Sequence, residues 1–185
     1  MRFRKWLRVK HLRAFGAPIY LHWSVLAAAV VIAALSVDSP VSAAVAVASY
    51  LAIIVIHEFG HAYVSKRRGY RVLAVRIAFL HGRCEFEAPD YEWDEVAIAW
   101  GGVLAQLLVA VPLIVLDTTF NPLRPGYLDS LIGILGYLNL IIAFLNLVPA
   151  APFDGAKAWR VIPLMRAKRT ARRDTERVLQ HWRRK

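Results

Sequence analysis

VAVASYLAIIVIHEFGHAYVSKRRG, residues 45–69, runs an apolar stretch straight into two histidines, a glutamate and a basic stop. A helix that crosses the hydrocarbon of a bilayer needs about 20 mostly apolar residues. Four blocks of the 185-residue chain approach that length, at 21–37, 41–64, 96–116 and 128–148, and the first is short. With 58% of the residues hydrophobic, no soluble domain of useful size remains outside these blocks. The expected fold is an all-α membrane protein with about four transmembrane helices. The expected organisation is a basic N-terminal segment at 1–20, a membrane core at 21–162 and a basic tail at 163–185.

The net charge of +11 could suggest nucleic acid, but its placement argues for a bilayer. With four spans and both termini in the cytoplasm, 23 of the 24 Lys and Arg residues fall in the cytoplasmic segments 1–20, 65–95 and 149–185, and only Arg124 lies across the membrane. That asymmetry is the positive-inside rule, and it sets the orientation. The basic tails then hold topology and touch anionic lipid, and no nucleic-acid partner is expected. Cys84 is the single cysteine, which excludes an internal disulfide and a cysteine-rich zinc site. The N-terminus is not read as a cleaved signal, because its polar stretch is long and a second span follows almost at once.

GAPIYLHW, residues 16–23, reads as extended because Gly16 and Pro18 discourage helix. In RVLAVRIAFLHGRCEFE, residues 71–87, Leu73, Val75, Ile77 and Phe79 alternate with Val72, Ala74, Arg76 and Ala78. Period two with a turn at His81-Gly82 predicts a β-hairpin near the cytoplasmic face. Bare strand edges are not tolerated in lipid, so the hairpin should lie against protein or at the interface. The tail after Pro163 reads as a polar helix.

His57-Glu58-Phe59-Gly60-His61 carries the chemistry. Helix positions i and i+4 share a face, so both imidazoles can reach one metal ion. Zinc lowers the pKa of a bound water to about 7, and Glu58 would take that water's proton as general base. In a soluble helix this pattern is often a solvated face. Inside a span that account is weak, because an ionisable group at the bilayer centre costs roughly 2.5–3.5 kcal/mol and defaults to a functional reading. Nine residues separate His57 from Lys66, which places the metal roughly 13 Å below the basic boundary at about 1.5 Å per residue. A catalytic zinc keeps three protein ligands and one open position. Three residues are candidates for the third: His22 at the start of the first span, His81 in the hairpin turn, and Asp154 after a proline-broken helix end. All lie on the cytoplasmic side, and Asp154 is favoured.

HEFGH in a span, followed after a later span by NLVPAAPFDG at 146–155, resembles the site-2 protease family of intramembrane metalloproteases. The matching residues of the second motif are Asn146, Pro149, Pro152, Asp154 and Gly155. The resemblance covers roughly 16–162 and implies that Asp154 is the third zinc ligand, with one zinc per chain. It also implies a minimal core, since PDZ or CBS modules do not fit this length. Gly101-Gly102 is similar to the family's glycine-rich site, where small residues let helices approach. The family often has an asparagine soon after it; this chain has Gln106, to which no polar role carries over. Asn146 is a candidate substrate-binding residue through the substrate backbone or oxyanion, and Asn139, seven residues earlier, reads more readily as a packing amide.

The resemblance therefore implies a zinc-dependent endopeptidase acting in or near a transmembrane segment of a single-span protein, in a bacterial or archaeal cell membrane. Two other classes fit parts of the pattern. A non-catalytic metal-binding scaffold of the same fold would not require Glu58. A transporter with a polar intramembrane site would be expected to show more spans or an internal repeat.

Overall fold

The computed structural model describes residues 6–35, 39–79, 82–120 and 126–183. Two layers account for it, a helical bundle and a four-stranded sheet. β1 (Trp6–Ala14) and β2 (Ala17–His22) pair antiparallel around a tight turn, with φ of 53° at Phe15 and 88° at Gly16. Glycine adopts such a φ without steric cost, which accounts for Gly16. β2 lies parallel to β3 (Val72–Ile77), and β3 is antiparallel to β4 (Gly82–Phe86), so the sheet order is β1-β2-β3-β4. The parallel β2–β3 pair needs a crossover, which α1 (Ser24–Leu35) and α2 (Pro40–Arg67) supply. The hairpin and the extended reading of 16–23 hold, but the basic N-terminal segment is not only a surface arm. From Trp6 onward it forms an edge strand.

Ala14, Ile19, Val75 and Ile77 bury one face of the sheet against Val25 of α1 and Ile54 of α2. Along α2 the sheet reaches from Tyr63, which meets the Phe15 ring, to Tyr50, whose hydroxyl donates to the Phe79 carbonyl. Sixteen residues separate Tyr50 from Lys66, or about 24 Å of helix. The sheet thus starts at the basic end of α2, as expected, and then runs deep along it. Strand pairing satisfies the backbone in the interior of the sheet where lipid could not. This explains the short first block. α1 has only 12 residues, about 18 Å, and its first residue, Ser24, accepts the Phe79 N–H at the deep end of the sheet.

α2, α3 (Glu92–Phe120) and α4 (Gly126–Asn146) are each long and apolar enough to cross a membrane. The protein is an integral membrane protein built on at least these helices. α2 and α3 cross backbone to backbone. A Cβ on Gly60 would lie 2.3 Å from the Gly101 carbonyl oxygen, and one on Gly101 would lie 2.7 Å from that of Gly60. Only glycine at both positions permits that approach. Glu92, Asp94 and Glu95 occupy the first turn of α3, where the helix dipole favours anions, and Arg68 pairs with Asp94 at 2.9 Å. α4 contains a π-helical stretch, Ile132–Leu138, just before Asn139. After Asn146 the chain turns through 147–154 into a single turn, α5 (Gly155–Ala158), and the long helix α6 (Val161–Arg183).

Candidate metal centre

His57 and His61 project from one face of α2 with ring centroids 4.6 Å apart and planes at 88°. Asp154 Oδ2 lies 3.0 Å from His57 Nε2 and 3.1 Å from His61 Nε2, and the two Nε2 atoms are 3.0 Å from each other. Among the described residues, these three form the group able to hold a metal ion. His22 is not drawn in. Its Nδ1 accepts from the Ser24 backbone N–H at 3.3 Å, and its ring lies between Trp6 and Trp23 at the β2–α1 junction. His81 lies outside the described residues.

The partners of the other ring nitrogens fix what the three facing atoms are. Asn139 Nδ2 reaches two backbone carbonyls, of Gln106 and Leu135, each at 3.2 Å. Carbonyls only accept, so this atom is the amide nitrogen and Oδ1 turns toward Gln106. Gln106 Nε2 donates to that Oδ1 at 3.0 Å, which leaves Gln106 Oε1 facing His57 Nδ1 at 2.9 Å. His57 Nδ1 must therefore carry the proton and donate. His61 Nδ1 does the same to the Ile98 carbonyl at 2.7 Å. In the neutral imidazoles that can ligate a metal, both Nε2 atoms are then bare lone pairs, aimed at each other and at a carboxylate oxygen. Asp154 Oδ2 is buried and has no hydrogen-bond donor. Three acceptors at such range repel unless a cation lies among them. Two ligand atoms about 2.0–2.1 Å from a tetrahedral zinc are about 3.3 Å apart, close to the spacing here, so the donor set fits zinc.

Glycines keep the centre open. A Cβ on Gly102 would lie 2.5 Å from His61 Nε2 and 2.7 Å from His57 Cε1. Glu58, 3% exposed, packs over the start of β4, where a Cβ on Gly82 would fall 2.3 Å from its Oε1. Gly155 lets the chain fold back beneath Asp154, since a Cβ there would lie 2.3 Å from the Leu147 carbonyl oxygen. A clamp to the start of α3 then holds this segment. Lys157 and Arg160 pair with Glu95 at 3.0 and 2.7 Å, Arg160 also meets Glu92, and Trp100 Nε1 donates to the Ala158 carbonyl at 3.1 Å.

Sequence reasoning assigned no polar role to Gln106, yet it is fully buried and orients a histidine of the trio. The signal for it was its position, an amide amid the apolar run of the third span. Asn139 is a packing amide as read, with the added task of holding Gln106. Asn146 Nδ2 lies 3.4 Å from Gln106 Oε1 and 3.5 Å from His57 Nδ1, beside the centre.

Residues 109–183, which include Asp154, match the family model for peptidase family M50. A zinc metalloprotease of Methanocaldococcus jannaschii is 29% identical over 155 residues, covering 83% of this chain and 45% of the relative. A putative zinc metalloprotease of Synechocystis is 30% identical over 60% of this chain and 29% of its own length. The chain thus spans less than half of the curated relatives it matches. Among solved structures, a site-2 protease from Methanocaldococcus jannaschii aligns over 85% of this chain and 71% of that one, with TM-score 0.67 and 27% identity. The resemblance carried by the two motifs is borne out.

Proposed function

We propose that this chain, a member of the site-2 protease group of peptidase family M50, is a zinc metalloprotease that hydrolyses a peptide bond in or near the transmembrane segment of a single-span protein. The observation that carries the reading is three lone-pair atoms, two from a spanning helix and one from the turn after α4, converging at 3.0–3.1 Å beside a buried glutamate that the ring of ligand atoms leaves free. His57, His61 and Asp154 would hold the ion. Zinc, when bound, supplies a Lewis acid that makes water nucleophilic near neutral pH and polarises a peptide carbonyl. Glu58 takes the proton of the attacking water and passes it to the leaving amine. Gln106 and the Ile98 carbonyl keep both histidines in the ligating tautomer. Asn146, at the rim of the centre, presents its remaining hydrogen-bonding capacity to the substrate backbone.

A helical peptide bond is shielded by its own hydrogen bonds, so the substrate must be drawn out locally. β4 is the edge strand that starts against Glu58, and an extended substrate segment can add to it as a further strand. An apolar cleft of about 480 Å³ between α1 and α4, lined by Trp23, Ala28, Val31, Tyr50, Phe79 and Leu138, gives such a segment a route from lipid. α1 completes four spans, both termini lie in the cytoplasm, and the membrane is the cell membrane of a bacterium or archaeon.

The deciding experiment is Glu58→Gln in reconstituted membranes. Zinc content should stay at one per chain while cleavage of a model single-span substrate stops; continued cleavage would sink the reading. The strand-addition step has its own test. The Glu87 N–H bonds back to the Arg71 carbonyl at 3.0 Å, so the Phe86 N–H before it faces the free edge; Phe86→Pro should lower cleavage with zinc retained, and unchanged cleavage would remove that step alone.

A further inference from the structure

α6 is a 23-residue helix, about 34 Å long, that leaves the bundle almost at once. Leu164, Ala167, Ala171, Thr175 and Trp182 follow three- and four-residue spacing and share one face. Arg166, Arg169, Arg173 and Arg177 follow the same spacing on the opposite face. Leu179 and Trp182 are 54% and 70% exposed, so none of the described residues covers the apolar face near the end of the helix. Asp174 and Glu176 are the only acids in α6, and each pairs on the helix itself, with Arg177 and Arg172. Among the described residues, Arg166, Arg169 and Arg173 make no ion pair.

The start of this helix has a fixed level. Arg160, the residue before it, is clamped to Glu92 and Glu95 in the first turn of α3. Asp94 of that same turn pairs with Arg68, at the basic end of α2. α6 therefore begins where the spanning helices meet the basic side of the membrane. An amphipathic helix with a Lys/Arg-rich polar face and Leu and Trp on the other is built to lie in a bilayer interface, and anionic headgroups complement the charge.

We propose that α6 is an interfacial helix that binds the anionic lipid surface of the membrane in which the protein sits. Leu164, Leu179 and Trp182 enter the acyl boundary while the arginine row meets phosphate and carboxylate headgroups. This surface is separate from the metal centre and does not depend on the protease reading.

The test uses the full chain with Leu179→Cys, labelled with an environment-sensitive dye and placed in nanodiscs carrying a quencher-bearing lipid. In discs of phosphatidylcholine with added phosphatidylserine, the dye should be quenched several-fold more than in phosphatidylcholine alone. High salt should reverse the difference, because screening weakens charge contacts between exposed groups. The combined variant Arg166→Gln, Arg169→Gln, Arg173→Gln should erase it while zinc content and elution volume stay unchanged. Equal quenching in both lipids, or none in either, would overturn the proposal. So would dye burial in detergent that rises with protein concentration, which would assign the face to a second copy. A larger response to added RNA than to anionic lipid would assign it to nucleic acid and also overturn the proposal.

Discussion

Gln106→Leu isolates the hydrogen-bond chain behind the metal centre, because leucine fills the space without replacing either polar function. Three contacts vanish: Gln106 Oε1 with His57 Nδ1 at 2.9 Å, Nε2 with Asn139 Oδ1 at 3.0 Å, and the longer approach of Asn146 Nδ2 at 3.4 Å. Hydrogen bonds between membrane helices average roughly 0.6 kcal/mol, so the fold should lose about 2 kcal/mol and survive. The metal should lose a comparable amount. Without an acceptor at Nδ1, His57 no longer prefers the tautomer that leaves Nε2 bare, and such outer partners are typically worth about 10–100-fold in metal affinity, or about 1.4–2.8 kcal/mol. Zinc competition against a chromophoric chelator, run on purified protein beside a thermal melt of the metal-free form, separates the two effects. Gln106→Asn, which keeps the amide one methylene shorter, should fall between leucine and wild type. A zinc affinity within twofold of wild type for Gln106→Leu would refute the tautomer argument.

Gly102→Ala should abolish zinc binding with helicity intact, since its Cβ would fall 2.5 Å from His61 Nε2; metal analysis with circular dichroism checks it, and full zinc occupancy counts against the site. Gly60→Leu should act on the fold instead, prying α2 from Gly101 and lowering the melting temperature by an amount fitting an overpacking cost of about 1–3 kcal/mol; an unchanged melt would mean the crossing is not as close as described. Arg160→Gln loosens the clamp on the segment carrying Asp154. Because partly exposed ion pairs contribute little to stability, the metal-free melt should barely move while zinc dissociates several-fold faster, and an unchanged dissociation rate would show that the clamp does not position Asp154.

How much of this was legible in the sequence follows from the range over which each feature is determined. The histidine pair is local, since i and i+4 on a helix settle its face. The β3–β4 hairpin is also local, a period-two run around a turn. β1 was hidden because Arg8, Lys10, His11 and Arg13 fill four of its nine positions, with a register shift between Arg8 and Arg13 that breaks the alternation, and its pairing depends on β2. Asp154 lies 93 residues from His61, so spacing could narrow the candidates for a third ligand only to a side of the membrane, and the choice of Asp154 came from the paired motifs. Gln106 was least legible because its role belongs to no single element. It exists where α3 passes α2 at Gly60 and Gly101 and the π-helical stretch of α4 delivers Asn139. A polar residue in a span is nonetheless informative by its position alone. Lipid supplies no partner for an amide, so each one amid apolar neighbours implies another polar group at its depth. His57, Gln106, Asn139 and Asn146 are four such residues on three helices, and their hydrogen bonds join them into one network around the metal centre.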